Sequence, residues 1–117
     1  MAAYNTSCLG GAIVFSLIDA TYPSETFPIT VNANADASST NTLTIKPAIG
    51  VTPALSGDNV SGILRLNGAD YVTIDGSNAI AGTTKDLTIT NTDVAACVTV
   101  WLNSVDAGNG ATHNTVK

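Results

Sequence analysis

The chain has 117 residues, the size of one small domain, and 44% of them are hydrophobic, enough to supply a core. A net charge of −5 with only four basic residues leaves little to neutralise phosphates, which argues against nucleic-acid binding and attraction to anionic membranes. Charged residues make up only 11%, while Ala, Thr and Asn abound, a mix unsuited to a helical bundle. Thr, Val and Ile favour strands and Asn, Gly and Asp favour turns, so the expected fold class is all-β.

In chain order, Met1–Leu9 reads as the end of a helix stopped by Gly10-Gly11. The run Ala12–Ile18 follows as a strand; it is the longest apolar stretch and falls well short of the roughly 18 residues of a membrane span, so no membrane insertion is expected. The amino terminus lacks the basic stretch of a signal peptide. Short alternating triplets come next, at Leu43-Thr-Ile45, Leu64-Arg-Leu66, Leu87-Thr-Ile89 and Asn114-Thr-Val116, with starts 21, 23 and 27 residues apart. A second series, Ala54-Leu55, Val72-Thr-Ile74 and Val98-Thr-Val100, falls between them. Alternation buries the outer residues of each triplet and exposes the middle one. Leu43, Ile45, Leu64, Leu66, Val72, Ile74, Leu87, Ile89, Val98 and Val100 are therefore the expected core.

Turn-rich segments such as Asp75-Gly-Ser-Asn78 and Asp106-Ala-Gly-Asn-Gly110 separate the triplets. A recurrence every 20 to 27 residues suits a solenoid, in which each unit buries its apolar face on the next. The alternative is a β-sandwich, for which Asn67-Gly68 and Asn109-Gly110 are hairpin signals. The expected layout is one module over 1–117, with a cap remnant at 1–11 and rungs over 12–117. Cys8 and Cys97 are expected as buried free thiols; a disulfide between them is the alternative in an exported protein. These two cysteines and His113 have no zinc-ligand spacing, and no other cofactor is expected.

The words CLGGAIVFSLIDATYPSETFPITVNANA, TLTIKPAIG, ILRLNGADYVTIDGSN, DLTITNT and HNTVK, in that order, resemble a right-handed parallel β-helix of the pectin-lyase-like superfamily. More closely, they resemble a repeat module of large secreted or surface proteins of Bacteroidetes-type bacteria. The resemblance implies an amino-terminal cap helix, three parallel sheets and an extracellular or cell-surface location within a larger exported protein. Against that pattern both ends look truncated, which leads us to expect a homo-oligomer, a dimer, formed through open solenoid ends or an apolar flank.

Asp70 and Asp75 flank a strand, which raises the question of a glycosidase's two carboxylates, but an odd separation points them to different sides. Asp70 is expected to make a corner turn and Asp75 to face outward with Tyr71 and Thr73. Superfamily enzymes use aspartate clusters with an Arg or Lys base; Lys46, Arg65, Lys85 and Lys117 do not fit that motif residue by residue, so no catalytic residue is assigned. A polysaccharide-cleaving fragment is the alternative function. His113 lies in a Gly/Asn-rich tail, a poor setting for a Ser-His-Asp arrangement, and Gly108-Asn-Gly110 lacks the residues of a phosphate loop.

Superimposing Val98-Thr-Val100 on Val72-Thr-Ile74 would stack Thr99 on Thr73 and Trp101 on Asp75. Tyr71, Thr73, Asp75 and Trp101 thus form the candidate carbohydrate-binding surface, with a glycan as its partner. The outward threonines Thr44, Thr73, Thr88, Thr99 and Thr115 would suit ice binding only if they formed a flat ladder, which the uneven spacing opposes. The function expected is a non-catalytic structural or adhesive module with weak carbohydrate binding.

Overall fold

A computed structural model describes all residues from Met1 to Lys117. One short helix, α1 (Ala2–Thr6), precedes nine strands: β1 (Ile13–Leu17), β2 (Ile29–Asn32), β3 (Leu43–Pro47), β4 (Ala54–Gly57), β5 (Leu64–Asn67), β6 (Val72–Ile74), β7 (Thr88–Asn91), β8 (Val100–Asn103) and β9 (Thr115–Val116). They form three sheets, ordered β1-β3-β6-β9, β2-β5-β8 and β4-β7, and every strand pair is parallel. The protein is thus all-β with parallel sheets, and the hairpins of a sandwich do not form. Asn67-Gly68 makes a corner instead, with Gly68 at φ 65.

Successive strands go to different sheets. An isolated parallel bridge between Thr21 and Ala54 adds an early member to the β4-β7 sheet, so the chain visits the three sheets in one repeating order. The recurrence is longer than the triplets suggested. Leu43 pairs with Val72, 29 residues on; Leu64 pairs with Val100, 36 on; Thr73 pairs with Thr115, 42 on. The 21-to-27 spacing measured steps between different sheets. Each expected series mixed all three.

Inward alternation is clean in the middle of the stack. β3 and β6 bury every second residue, and Leu43, Ile45, Leu64, Leu66, Val72 and Ile74 are all at most 3% exposed. Burying a leucine this fully contributes roughly 1.5–3 kcal/mol. Val31, Leu55, Ile63 and Ala69 join them, as do Tyr4 and Leu9 from the amino-terminal segment. Leu87, Ile89, Val98 and Val100 are only half-buried, contrary to expectation. They lie in or just before β7 and β8, which are edge strands of their sheets.

Two other expectations fail locally. α1 ends at Ser7, in extended geometry, rather than at Gly10-Gly11. Cys8 and Cys97 are free and exposed, not buried. Both lie in segments between the secondary-structure elements, outside the inward positions of any strand.

The abundance of asparagine has a structural explanation. Strands of different parallel sheets are joined through corners whose backbone groups cannot all find strand partners, and a carboxamide offers both a donor and an acceptor. Asn114 bonds the Ala69 carbonyl at 2.7 Å and the Val72 N–H at 2.8 Å, joining two coils. Asn91 reaches the carbonyls of Asn59 and Val98, and Asn59 reaches that of Phe27. At the end of the second sheet the side chains themselves form a ladder: Asn103 donates to Asn67 at 2.7 Å and Asn67 to Asn32 at 3.1 Å.

Candidate functional site

The residues expected to form one surface are divided between two sheets. Thr73 points outward from β6, between Thr44 on β3 and Thr115 on β9. Tyr71 sits at the corner before β6 with φ 56, a conformation uncommon for a bulky residue. Its ring stacks on His113, also at positive φ, with centroids 4.6 Å apart and planes within 8°.

Trp101 lies elsewhere. It is on β8, which pairs with β5, so its neighbour is Arg65 and not Asp75. The Arg65 guanidinium lies 5.3 Å from the Trp101 ring centroid, in cation–π range, and its Nε donates to Asn103 Oδ1 at 2.9 Å. The other members of the expected surface belong to the β1-β3-β6-β9 sheet. The superposition of Val98-Thr-Val100 on Val72-Thr-Ile74 was therefore wrong: β8 starts at Val100, and Thr99 precedes it.

Asp75 is covered, not displayed; it is 7% exposed. Extending the registers of β3, β6 and β9 by one residue sets Lys46, Asp75 and Lys117 side by side. The carboxylate Oδ2 lies 3.7 Å from Lys46 Nζ and 3.4 Å from Lys117 Nζ. Its Oδ1 accepts the Ser77 N–H at 3.0 Å. That backbone bond, followed by the charges of Lys117 and Lys46, holds the carboxyl below its ordinary value although burial opposes it. Gly82–Lys85 lie across the same spot, and Lys46 also donates to the Ala79 carbonyl. An aspartate held in its ionised form in this way is a poor general acid.

Three other carboxylates, Asp70, Asp86 and Asp93, are similarly engaged. Asp86 accepts from the Asn78 N–H and the Thr84 hydroxyl, and Asp93 from the N–H groups of Ala96 and Ala95; both are held below the ordinary value by these bonds. Asp70 does take a corner role, but its partner is on the next coil. Its Oδ1 accepts both the N–H and the hydroxyl of Thr112 at 2.6 Å. The Thr112 hydroxyl lies 3.1 Å from His113 Nδ1, so the lone histidine is tied to this corner and no serine approaches it.

The outward threonines do not make one ladder. Thr44, Thr73 and Thr115 align, but Thr88 lies opposite Ala54 in another sheet. The largest cleft, 540 Å³, opens between α1 and the first coil and is mostly apolar, with Glu25 its one carboxylate. No helix is long and apolar enough to cross a membrane.

Arg65 against Trp101 and the lysine pair around Asp75 were both missed in the sequence. A signal for the second existed. Leu43-Thr-Ile-Lys46, Val72-Thr-Ile-Asp75 and Asn114-Thr-Val-Lys117 share one pattern, and these are the three segments that stack.

Fold and surface together define an all-β protein of parallel sheets, in which many polar side chains bond segments far apart in sequence. No protein family, curated protein or solved structure matches the chain.

Proposed function

We propose that the chain is a non-catalytic parallel β-helix module, akin to the pectin-lyase-like superfamily, serving as a stiff structural or adhesive element of a larger exported bacterial protein at the cell surface. The repeating order in which the chain visits three parallel sheets supports the helical winding. The observation that carries the functional reading is the fate of the carboxylates. Asp70, Asp75, Asp86 and Asp93 each bond backbone or neighbouring side chains that hold corners and coils in place. Self-association through an open end of the stack belongs to the same reading.

A second reading has one observation in its favour. Trp101 is 39% exposed with Arg65 packed against it, an arrangement that could stack on a sugar ring. Incubation with acidic and neutral polysaccharides, run beside a glycan array, tests both. The structural reading expects no product and no array signal. Signal lost in Trp101→Ala with an unchanged circular dichroism spectrum would establish carbohydrate binding. Product that forms with the parent chain and disappears in Asp75→Asn would replace the structural reading with a polysaccharide-cleaving enzyme.

A further inference from the structure

Glycine follows an asparagine or aspartate at three places: Asn67-Gly68, Asp75-Gly76 and Asn109-Gly110. Such pairs are chemically labile. With no Cβ on the glycine in the way, its amide nitrogen can attack Cγ of the preceding residue and close a succinimide ring. From asparagine the side-chain nitrogen leaves as ammonia, taking the amide proton with it. Water then opens the ring to aspartate or, at the other carbonyl, to isoaspartate, whose backbone is longer by a methylene. Both asparagine pairs are followed by alanine, Ala69 and Ala111, so the residues on that side do not distinguish them and the fold must.

Two of the three pairs are held in place. Asn67 is the middle of the carboxamide ladder: its Nδ2 donates to Asn32 Oδ1 at 3.1 Å, and its Oδ1 accepts from Asn103 Nδ2 at 2.7 Å. The Gly68 N–H, which carries the attacking nitrogen, donates to the Asn103 carbonyl at 2.8 Å. Asp75 is held by Lys46, Lys117 and the Ser77 N–H, and the Gly76 N–H donates to the Lys117 carbonyl at 2.7 Å. In both pairs the nucleophile must give up a proton already shared with a carbonyl, and Cγ must leave its partners. Reaction there waits for local opening, as amide exchange does.

Asn109 differs. Its backbone closes the turn after β8, the N–H donating to the Asp106 carbonyl at 3.2 Å and the carbonyl accepting the Val105 N–H at 2.9 Å. Its side chain has no such hold. The carboxamide makes no hydrogen bond within the chain, and Oδ1 lies against Gly68, 3.0 Å from where a Cβ on that glycine would sit. The Gly110 N–H meets no backbone acceptor. Asn67 and Asn109 are both half-buried, so exposure does not separate the two pairs; hydrogen bonding does.

We propose that Asn109-Gly110 is a site of self-modification, converted to aspartate and isoaspartate by its own backbone, while the carboxamide ladder protects Asn67-Gly68. The product acts on the neighbouring corner. Either form adds one negative charge to the net −5, in the same turn as Asp106. Isoaspartate also lengthens the chain just before Ala111-Thr112. There the Thr112 N–H and hydroxyl each bond Asp70 at 2.6 Å, and the Thr112 carbonyl accepts the Tyr71 N–H at 3.2 Å. Conversion is therefore a slow, one-way change at the contact between the Asp70 and Thr112 corners.

The test uses the chain as it stands, with one site as the control for the other. Samples are aged in warm, mildly alkaline buffer, folded and in urea, then cleaved after basic residues; residues 66–85 carry Asn67 and residues 86–117 carry Asn109. Fragmentation in the mass spectrometer locates each amide-to-acid conversion, and an isoaspartyl methyltransferase reports the isoaspartate. In urea the two sites should convert at similar rates. In the folded chain Asn109 should stay within a few-fold of that rate, while Asn67 slows by at least about tenfold, the scale set by hydrogen bonds that must open first. Gly110→Ala should slow conversion at Asn109 and leave Asn67 unchanged; its methyl group fits, with Ser104 Oγ the nearest atom at 3.4 Å. Suppression of Asn109 to the level of Asn67 in the folded chain, or equal conversion of both, overturns the proposal.

Discussion

Asp75→Asn isolates the charge at the centre of the lysine pair. The substitution keeps shape and retains an oxygen for the Ser77 N–H, while removing the negative charge 3.7 Å from Lys46 Nζ and 3.4 Å from Lys117 Nζ. At an effective dielectric constant of about 20, each pair is worth roughly 4–5 kcal/mol before costs. Desolvation and side-chain ordering cancel most of that. Exposed pairs retain about 0.2–1 kcal/mol, which is the right scale for Lys117, whose side chain is 54% exposed. Lys46, at 18%, should lie at the upper end of that scale or somewhat above. The variant also leaves two ammonium groups facing a neutral amide. The sum is a destabilisation of about 1–2 kcal/mol at pH 7, measurable by urea denaturation. The pH dependence has a definite sign. Asp75 is held below its ordinary value of 3.8 in the folded protein, so its contribution is complete above that value. As pH falls, the unfolded chain takes up the proton first and the contribution disappears through the folded value. The gap between parent and variant should therefore close below about pH 4. A gap under about 0.5 kcal/mol at pH 7, or one that persists undiminished in acid, would refute the reasoning.

Asn67→Ala removes the middle of the carboxamide ladder and two hydrogen bonds, to Asn32 and from Asn103, and should cost about 1–3 kcal/mol. A double-mutant cycle with Asn103→Ala should show coupling; strict additivity would mean the ladder is incidental. Gly68→Ala places a methyl group 2.7 Å from Val105 Cγ2 and 3.0 Å from Asn109 Oδ1 at a φ of 65, so a loss of about 1–3 kcal/mol is expected in thermal unfolding, and a neutral result would contradict the corner geometry. Cys8 and Cys97 should both react with a thiol reagent in the native state without denaturant; labelling that requires unfolding would restore the buried assignment.

The strands were legible because inward alternation survives even in three residues. Leu43-Thr-Ile45 and Val72-Thr-Ile74 read as half-buried strands on sight, and they are. Which strand stacks on which was not legible from the triplets alone, because their apolar pattern is nearly the same in all three sheets. Val98-Thr-Val100 resembles Val72-Thr-Ile74 and so misled, whereas the segment that pairs with Leu64-Arg-Leu66 is Val100-Trp-Leu102. The fourth residue carries the information. Asn32, Asn67 and Asn103 close the strands of one sheet, while Lys46, Asp75 and Lys117 follow those of another. These side chains interact directly across coils, so their identities depend on register in a way that buried Leu, Ile and Val do not. The candidate surface failed for the same reason: Tyr71, Thr73 and Asp75 kept their sheet, and one wrong register moved Trp101 onto it.

The composition follows from that division of labour. Inward positions between coils need only apolar bulk, and a neighbour one coil away supplies the packing. Outward positions tolerate Thr, whose branched side chain suits a strand. Corners must satisfy backbone groups that no strand reaches, and they must do so again on each coil. A carboxylate can meet the donors alone, and stacking carboxylates at one corner would set like charges close together. A carboxamide meets donors and acceptors alike and repeats without repulsion. Where a charge does occupy a stacked position, as at Asp75, the coils on either side place Lys46 and Lys117 against it. Low charge and abundant asparagine thus suit parallel strands joined by corners whose backbone groups must be satisfied again and again.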